Sequence, residues 1–377
     1  MNRYFNYPNL HYWDTPTSDT NDFKSGVIAL AKEPKWVGPN YDFERMKHTQ
    51  IGRHMMDAAH LELTYEDIND PGLKAFWAEM GLSYTVHEKE GEAWLSFVPA
   101  SALEDPTALP VMLAFRPSSG KWGVFSQSFY YHMNMIAAQG DLIVLIFSTE
   151  DNDSNELWVD ILEEAKTLYP IDPTRVYLTG HSHYGEFALE FMRRHHDIVA
   201  GVAQQGDCPG IHCNTTDTQL EQMHSIDMPI IDVAGCAEMN SIFPVNVDIT
   251  DNEKLFSGKY AGRFPADAHS RIVTWQKRLY ASRCEVLSEE AILAARNGTR
   301  AEQMLGFPTD HSETMFVDGV EVYIGDIQNV DGKKHLRIVA VENLTHTTCA
   351  FMHTISWSFL RRFARDLEKD AVIELFD

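Results

Sequence analysis

From Tyr84 to Val341 the chain alternates short, continuously apolar runs with longer stretches of helical periodicity. Val111–Phe115, Leu142–Phe147, Val176–Thr179, Ile198–Ala203, Ile230–Val233 and Leu336–Val341 are too short for helices. They are also too unbroken for a sheet that is wet on one face. The pattern predicts an α/β fold with a mostly parallel central sheet flanked by helices. Tyr84–Glu88 and Trp94–Val98 lie either side of Glu90-Gly91-Glu92 and read as a hairpin ahead of that sheet. The first 80 residues differ in character. Tyr4, Phe5, Tyr7, Pro8, Tyr12, Trp13 and Pro16 form an irregular aromatic arm, followed by expected helices at Phe43–Ala59 and Tyr65–Glu79. Between Ser257 and Asp331 the pattern predicts helices around Ala268–Arg283 and Ser288–Asn297 and an extra strand at Val320–Ile324. The expected organisation is an N-terminal extension, 1–80, then one large domain, 81–377, with an insertion at about 257–331.

Composition narrows the partners. A chain of 377 residues can bury a large core. Its 55 acidic and 31 basic residues give a net charge of −24, against a protein held by nucleic-acid phosphates and against an anionic membrane surface. No stretch approaches the roughly 18 apolar residues of a membrane span, and the opening residues lack the apolar core of a signal peptide. The expectation is a cytoplasmic protein with neither nucleic acid nor membrane as partner; the sequence leaves the oligomeric state open. Cys208, Cys213, Cys236, Cys284 and Cys349 are odd in number and scattered, so reduced thiols are expected, although Cys208 and Cys213 could close a small loop in an oxidising compartment. The sequons at Asn214, Asn297 and Asn343 read as coincidental.

The chemistry concentrates in Arg175-Val-Tyr-Leu-Thr-Gly-His-Ser182-His-Tyr-Gly-Glu-Phe-Ala-Leu-Glu190. Val176, Tyr177 and Leu178 make a strand, Gly180 removes a side chain two residues before Ser182, and Phe187, Phe191 and Met192 then recur at helical spacing. A strand that turns sharply into a helix exposes a serine hydroxyl and aims the first helical N–H groups at it, the outline of a nucleophile elbow. A serine needs a histidine to accept its proton, and the histidine needs a carboxylate to hold its tautomer. His346 lies between the last strand of the sheet and a terminal helix expected to include Trp357, Phe359, Leu360 and Phe363. Glu238 is the first acidic side chain after the strand Pro229-Ile-Ile-Asp-Val-Ala-Gly, and Asp248, in the same connection, is the reserve.

From Trp94 to Arg365 the chain resembles the α/β-hydrolase esterases of the polyhydroxyalkanoate-depolymerase and feruloyl-esterase type. The resemblance is carried by Tyr169-Pro-Ile-Asp-Pro-Thr-Arg-Val-Tyr-Leu-Thr-Gly-His-Ser, by Gly235–Glu238, and by His346 ahead of Trp357-Ser-Phe-Leu-Arg-Arg-Phe. It implies hydrolysis of a small-molecule or polymer carboxylic ester through an acyl-enzyme, with no metal or organic cofactor. Two departures stand out. Tyr184 occupies the position two after the serine where such esterases carry Gly, with Gly185 one residue later. Arg116-Pro-Ser-Ser-Gly120 replaces their His-Gly-Gly. Pro117 has no N–H, so the oxyanion donors expected are the backbone N–H of His183 and that of Ser118 or Ser119, with Arg116, Tyr184 and Trp122 as pocket candidates. Two other readings stand beside this one. His346, Cys349 and His353 have helical spacing and supply three zinc ligands at most. A non-catalytic relative that keeps the fold as a binding module would also tolerate both departures.

Overall fold

The computed structural model describes residues 69, 71–89, 91–117, 133–149, 155–181, 183–206, 222–236, 282–295, 297–306, 308–317, 320–342, 344 and 350–376. In chain order these form α1 (Pro71–Glu79), β1 (Leu82–Lys89), β2 (Glu92–Pro99), α2 (Ala100–Glu104), β3 (Leu109–Pro117), α3 (Met133–Ala137), β4 (Ile143–Thr149) and α4 (Asn155–Leu168). There follow β5 (Ile171–His181), α5 (His183–Arg194), β6 (Gly201–Gln205), β7 (Ile230–Gly235), α6 (Glu289–Ala295) and α7 (Arg300–Leu305). The chain ends with β8 (His311–Val317), β9 (Val320–Ile327), β10 (Leu336–Val341), α8 (Ala350–Leu360), β11 (Phe363–Asp366) and β12 (Ala371–Glu374).

β1 to β10 form one sheet in the order β1-β2-β4-β3-β5-β6-β7-β10-β9-β8. The central strands β4, β3, β5, β6, β7 and β10 run parallel, and an antiparallel pair extends the sheet on each side. β6, β7 and β10 are buried along their whole lengths, which is why each reads as a continuous apolar run. The two faces are covered by different helices. Within β6, Gln204 packs against Gly185 of α5, whereas Gly201 meets Leu360 of α8. Side chains three apart on a strand point to opposite faces, so α5 and α8 lie on opposite sides of the sheet. On the α5 side an aromatic cluster joins Phe115, Trp158 and Phe191, with Phe115 and Trp158 centroids 4.3 Å apart.

β7 and β10 are also tied at their starts. Asp227, just before β7, accepts hydrogen bonds from Nδ1 of His335 at 2.7 Å, from Nδ2 of Asn329 at 3.0 Å and from Lys333, all just ahead of β10. Burial pushes the Asp227 carboxyl up, but the bonds from His335 and Lys333 outweigh it and hold the group at about 2. On the other side of β10, Arg337 makes a two-pronged ion pair with Asp326 of β9, at 2.6 and 2.8 Å, and the two are register partners.

The predicted strands are all present, Leu336–Val341 with its expected bounds and the others with one or both ends shifted. The run expected to start at Ile198 first makes a 3₁₀ turn, His196–Ile198, and enters the sheet at Gly201. Of the helix expected at Tyr65–Glu79, the described part is Pro71–Glu79; Phe43–Ala59, the aromatic arm and Ala268–Arg283 lie outside the described residues, apart from Ser282 and Arg283. The stretch between Ser257 and Asp331 adds two strands to the sheet, β8 and β9, where one was expected; α6 falls within the helix expected at Ser288–Asn297, and α7 is a helix that was not expected. One expectation is corrected. The terminal helix ends at Leu360, and Phe363 opens β11, which pairs antiparallel with β12. The Phe359 and Phe363 rings do meet, with centroids 5.2 Å apart, so the four-residue spacing marked a real contact although the chain had left the helix. Among the described residues no helix is long and apolar enough to cross a membrane.

At the far edge, His87 stacks on Trp94 at 3.6 Å, and its Nε2 lies 2.9 Å from Ser96 Oγ and 3.1 Å from the Tyr169 hydroxyl. Burial lowers this imidazole from 6.5 to about 4, partly opposed by Glu164. Between those values the unfolded chain holds a proton that the folded chain does not, so stability is full above pH 6.5 and declines as pH falls toward 4. The urea midpoint should therefore drop more steeply from pH 7 to pH 4.5 in the wild type than in His87→Gln. The difference should stay below the one-proton slope of about 1.4 kcal/mol per pH unit, because the ring is partly exposed. Identical slopes would show that His87 carries none of the acid sensitivity.

Candidate active site

The site is read from the ends of the parallel strands. β5 stops at His181 and α5 starts at His183, leaving a single residue, Ser182, between strand and helix. Ser182 itself lies outside the described residues, but the geometry on either side of it is tight. A Cβ built on Gly180 would stand 2.1 Å from the Tyr184 carbonyl oxygen and 2.7 Å from the Gly185 nitrogen. Only a hydrogen fits there, because the first turn of α5 folds back over the end of its own strand. His183 heads α5, so its backbone N–H belongs to the first turn and has no partner within the helix.

The unusual position of the second glycine has a local explanation. A Cβ on Gly185 would stand 2.8 Å from Gln204 Cγ, so it is this glycine that lets α5 approach the neighbouring strand β6. Tyr184 is half-buried and its ring lies 5.1 Å from that of Phe187, one turn further along α5. The tyrosine ring thus packs along its own helix.

The other candidate positions follow neighbouring strand ends. Phe115 of β3 pairs with Gly180 of β5, and Arg116 and Pro117 then stay paired with Ser148 and Thr149 of β4 at the end of the strand, beside the one that precedes Ser182. Ser118, Ser119 and Trp122 lie outside the described residues. β7 ends at Gly235, with Glu238 and Asp248 beyond it, and β10 ends at Val341, with His346 beyond it; these three also lie outside the described residues. What is described is the contact between the two connections. The Cys236 N–H donates to the Val341 carbonyl at 2.8 Å, and a Cβ on Gly235 would stand 2.1 Å from the Leu344 carbonyl oxygen. Leu344 precedes His346 by two residues, and Gly235 precedes Glu238 by three, so the structure brings together the stretches of chain that lead to the candidate base and acid.

Sequence reading missed the buried amides at the end of β6. Gln205 is fully buried, and its side-chain nitrogen donates to Nδ1 of His353 at 3.1 Å and to Ser356 Oγ at 3.3 Å, both in α8. The signal was a pair of glutamines closing an otherwise apolar run, Gly201-Val-Ala-Gln-Gln205. His353, one of the weighed zinc ligands, has its Nδ1 committed to this bond; His346 and Cys349 lie outside the described residues. Cys236 and Cys284 are both buried.

No protein-family model matches the chain, and no curated protein does. Among solved structures it is similar to a ferulic acid esterase, at 12% identity over 41% of this chain and 78% of that one, with a TM-score of 0.32. It is also similar to a substrate-bound fluorophosphonate-binding serine hydrolase from Staphylococcus aureus, at 14% identity over 41% of this chain and 79% of that one, with a TM-score of 0.33. A mutant of the feruloyl esterase module from Clostridium thermocellum, complexed with sinapinate, matches at 10% identity over 41% of this chain and 68% of that one, with a TM-score of 0.35. Identities and scores this low leave the assignment to the topology itself. A mostly parallel sheet flanked by helices on both faces, with a one-residue strand-to-helix turn at its centre, gives this chain the α/β-hydrolase fold.

Proposed function

We propose that the protein is a serine hydrolase acting on carboxylic esters. The observation that carries the reading is the order of the strand ends: a glycine-shouldered turn at Ser182 after β5, then the connection toward Glu238 after β7, packed against the connection toward His346 after β10. In this reading Ser182 Oγ attacks the ester carbonyl carbon while His346 takes the hydroxyl proton. The carbonyl electron pair moves to oxygen, and the oxyanion is held by the N–H of His183 and that of Ser118 or Ser119. Collapse expels the alcohol, protonated by the imidazolium, and leaves an acyl-enzyme. Water, giving its proton to His346, then attacks the acyl carbon and releases the carboxylic acid and Ser182. Glu238 accepts from the other imidazole N–H and keeps the ring in its working tautomer. The substrate is a small-molecule or polymer ester, and the scheme uses no metal or organic cofactor.

The test is a fluorophosphonate probe with a p-nitrophenyl ester assay. The wild type should label at Ser182 and turn over, with activity falling at acidic pH as the base takes up its proton. His346→Ala should be nearly inactive, and Glu238→Gln should lose heavily but less. If Asp248→Asn is more damaging than Glu238→Gln, the acid is Asp248. A binding module without turnover is the second reading. It is favoured by Pro117, which closes β3 with no N–H to offer. A folded wild type that neither labels nor turns over would select it.

A further inference from the structure

We infer that Gln205 is a positioning residue for the base, acting through His353 and Ser356; this rests on the serine-hydrolase reading above. Gln205 is the last residue of β6 and the register partner of His181, the residue before Ser182. Its side chain faces α8, the helix that starts four residues after His346. His353 lies in the first turn of that helix and Ser356 in the next. The two N–H groups of one amide thus reach both turns, at 3.1 and 3.3 Å, and all three residues are fully buried. The amide ties the helix that ends the base-bearing connection to the strand adjoining the nucleophile's own.

A packing role alone fits this position poorly. The Gln205 carbonyl oxygen is buried and has no partner among the described residues, a cost that an aliphatic side chain on an otherwise apolar strand would avoid. What the amide supplies and an aliphatic side chain cannot is a directional tie. Small misplacements of a proton-transfer partner reduce turnover far more than they reduce binding.

The experiment compares Gln205→Leu, Ser356→Ala, His353→Leu and His353→Gln with the wild type. It reads kcat and KM on p-nitrophenyl acetate and the fluorophosphonate labelling rate at Ser182. Gln205→Leu is expected to lower kcat about ten- to a hundredfold with KM within about twofold, and labelling should slow in parallel. Ser356→Ala should lose less, since it removes the longer bond. His353→Gln keeps an acceptor for the Gln205 N–H and should retain much more of the rate than His353→Leu. A folded Gln205→Leu whose kcat and labelling stay within twofold of wild type overturns the inference. If Gln205→Leu does not fold, the His353 pair decides, and equal impairment of both overturns it. Wild-type labelling separates the two failures. If the wild type labels but the variants match it, only this inference falls; if it never labels or turns over, the serine-hydrolase reading falls and takes this one with it.

Discussion

Ser182→Ala is expected to abolish ester turnover and fluorophosphonate labelling together, by at least about a thousandfold, while the thermal melt stays within a few degrees of wild type. The two readouts separate because the tight contacts around this turn are made by its neighbours. The Gly180 approach to the backbone of Tyr184 and Gly185, and the Gly185 approach to Gln204, involve no atom of the serine hydroxyl. Removing that oxygen takes away the nucleophile and leaves the turn's framework in place. Turnover above a tenth of wild type in clean Ser182→Ala protein would sink the mechanism. A collapse of the melt would instead give the serine a structural role.

Gly235→Ala is expected to cost about 3 kcal/mol of stability from a single methyl group, with activity lost even in the fraction that folds. The added carbon would meet the Leu344 carbonyl oxygen at 2.1 Å and its carbonyl carbon at 2.7 Å. These are backbone atoms two residues from His346, so relief requires the two connections to part. Gly332→Ala is the matched control. Its φ of +76° strains an alanine, but nothing lies within 4 Å of the new carbon. It should cost only about 1–2 kcal/mol and leave kcat unchanged. Urea midpoints and kcat for the pair decide the matter. If Gly235→Ala is no worse than Gly332→Ala, the contact does not set the spacing of the connections.

The parallel strands were legible because burial on both faces leaves no polar alternation to obscure them, as in Leu336–Val341. β8 was not, because along His311–Val317 only Met315 is buried, and its four polar leading residues and exposed Phe316 give no alternation of inward apolar positions. α7 carried signals that went unread. Thr299 and Glu302 form a reciprocal capping box, and Gly306 ends the helix in the left-handed conformation. At the candidate site, the chain order of the proposed serine, acid and histidine could be read directly. The proximity of the connections could not, since it depends on Gly235 meeting Leu344 across the ends of β7 and β10. Gln205 and His353 are 148 positions apart, beyond the reach of any local pattern.

The Arg337–Asp326 pair bears on how far this chain can be trimmed. Both side chains are 7% exposed, and the guanidinium also sits over the Phe359 ring of α8 at 5.1 Å. Cutting the sheet back to β10, as a minimal catalytic unit would invite, removes the carboxylate that Arg337 pairs with, beside the helix that follows the candidate base. Losing one partner of such a pair typically costs about 3–5 kcal/mol, a large share of a domain's net stability. A workable deletion therefore has to take Arg337 with it, for example as Arg337→Met, so the outer hairpin and the last core strand form a single unit for protein engineering.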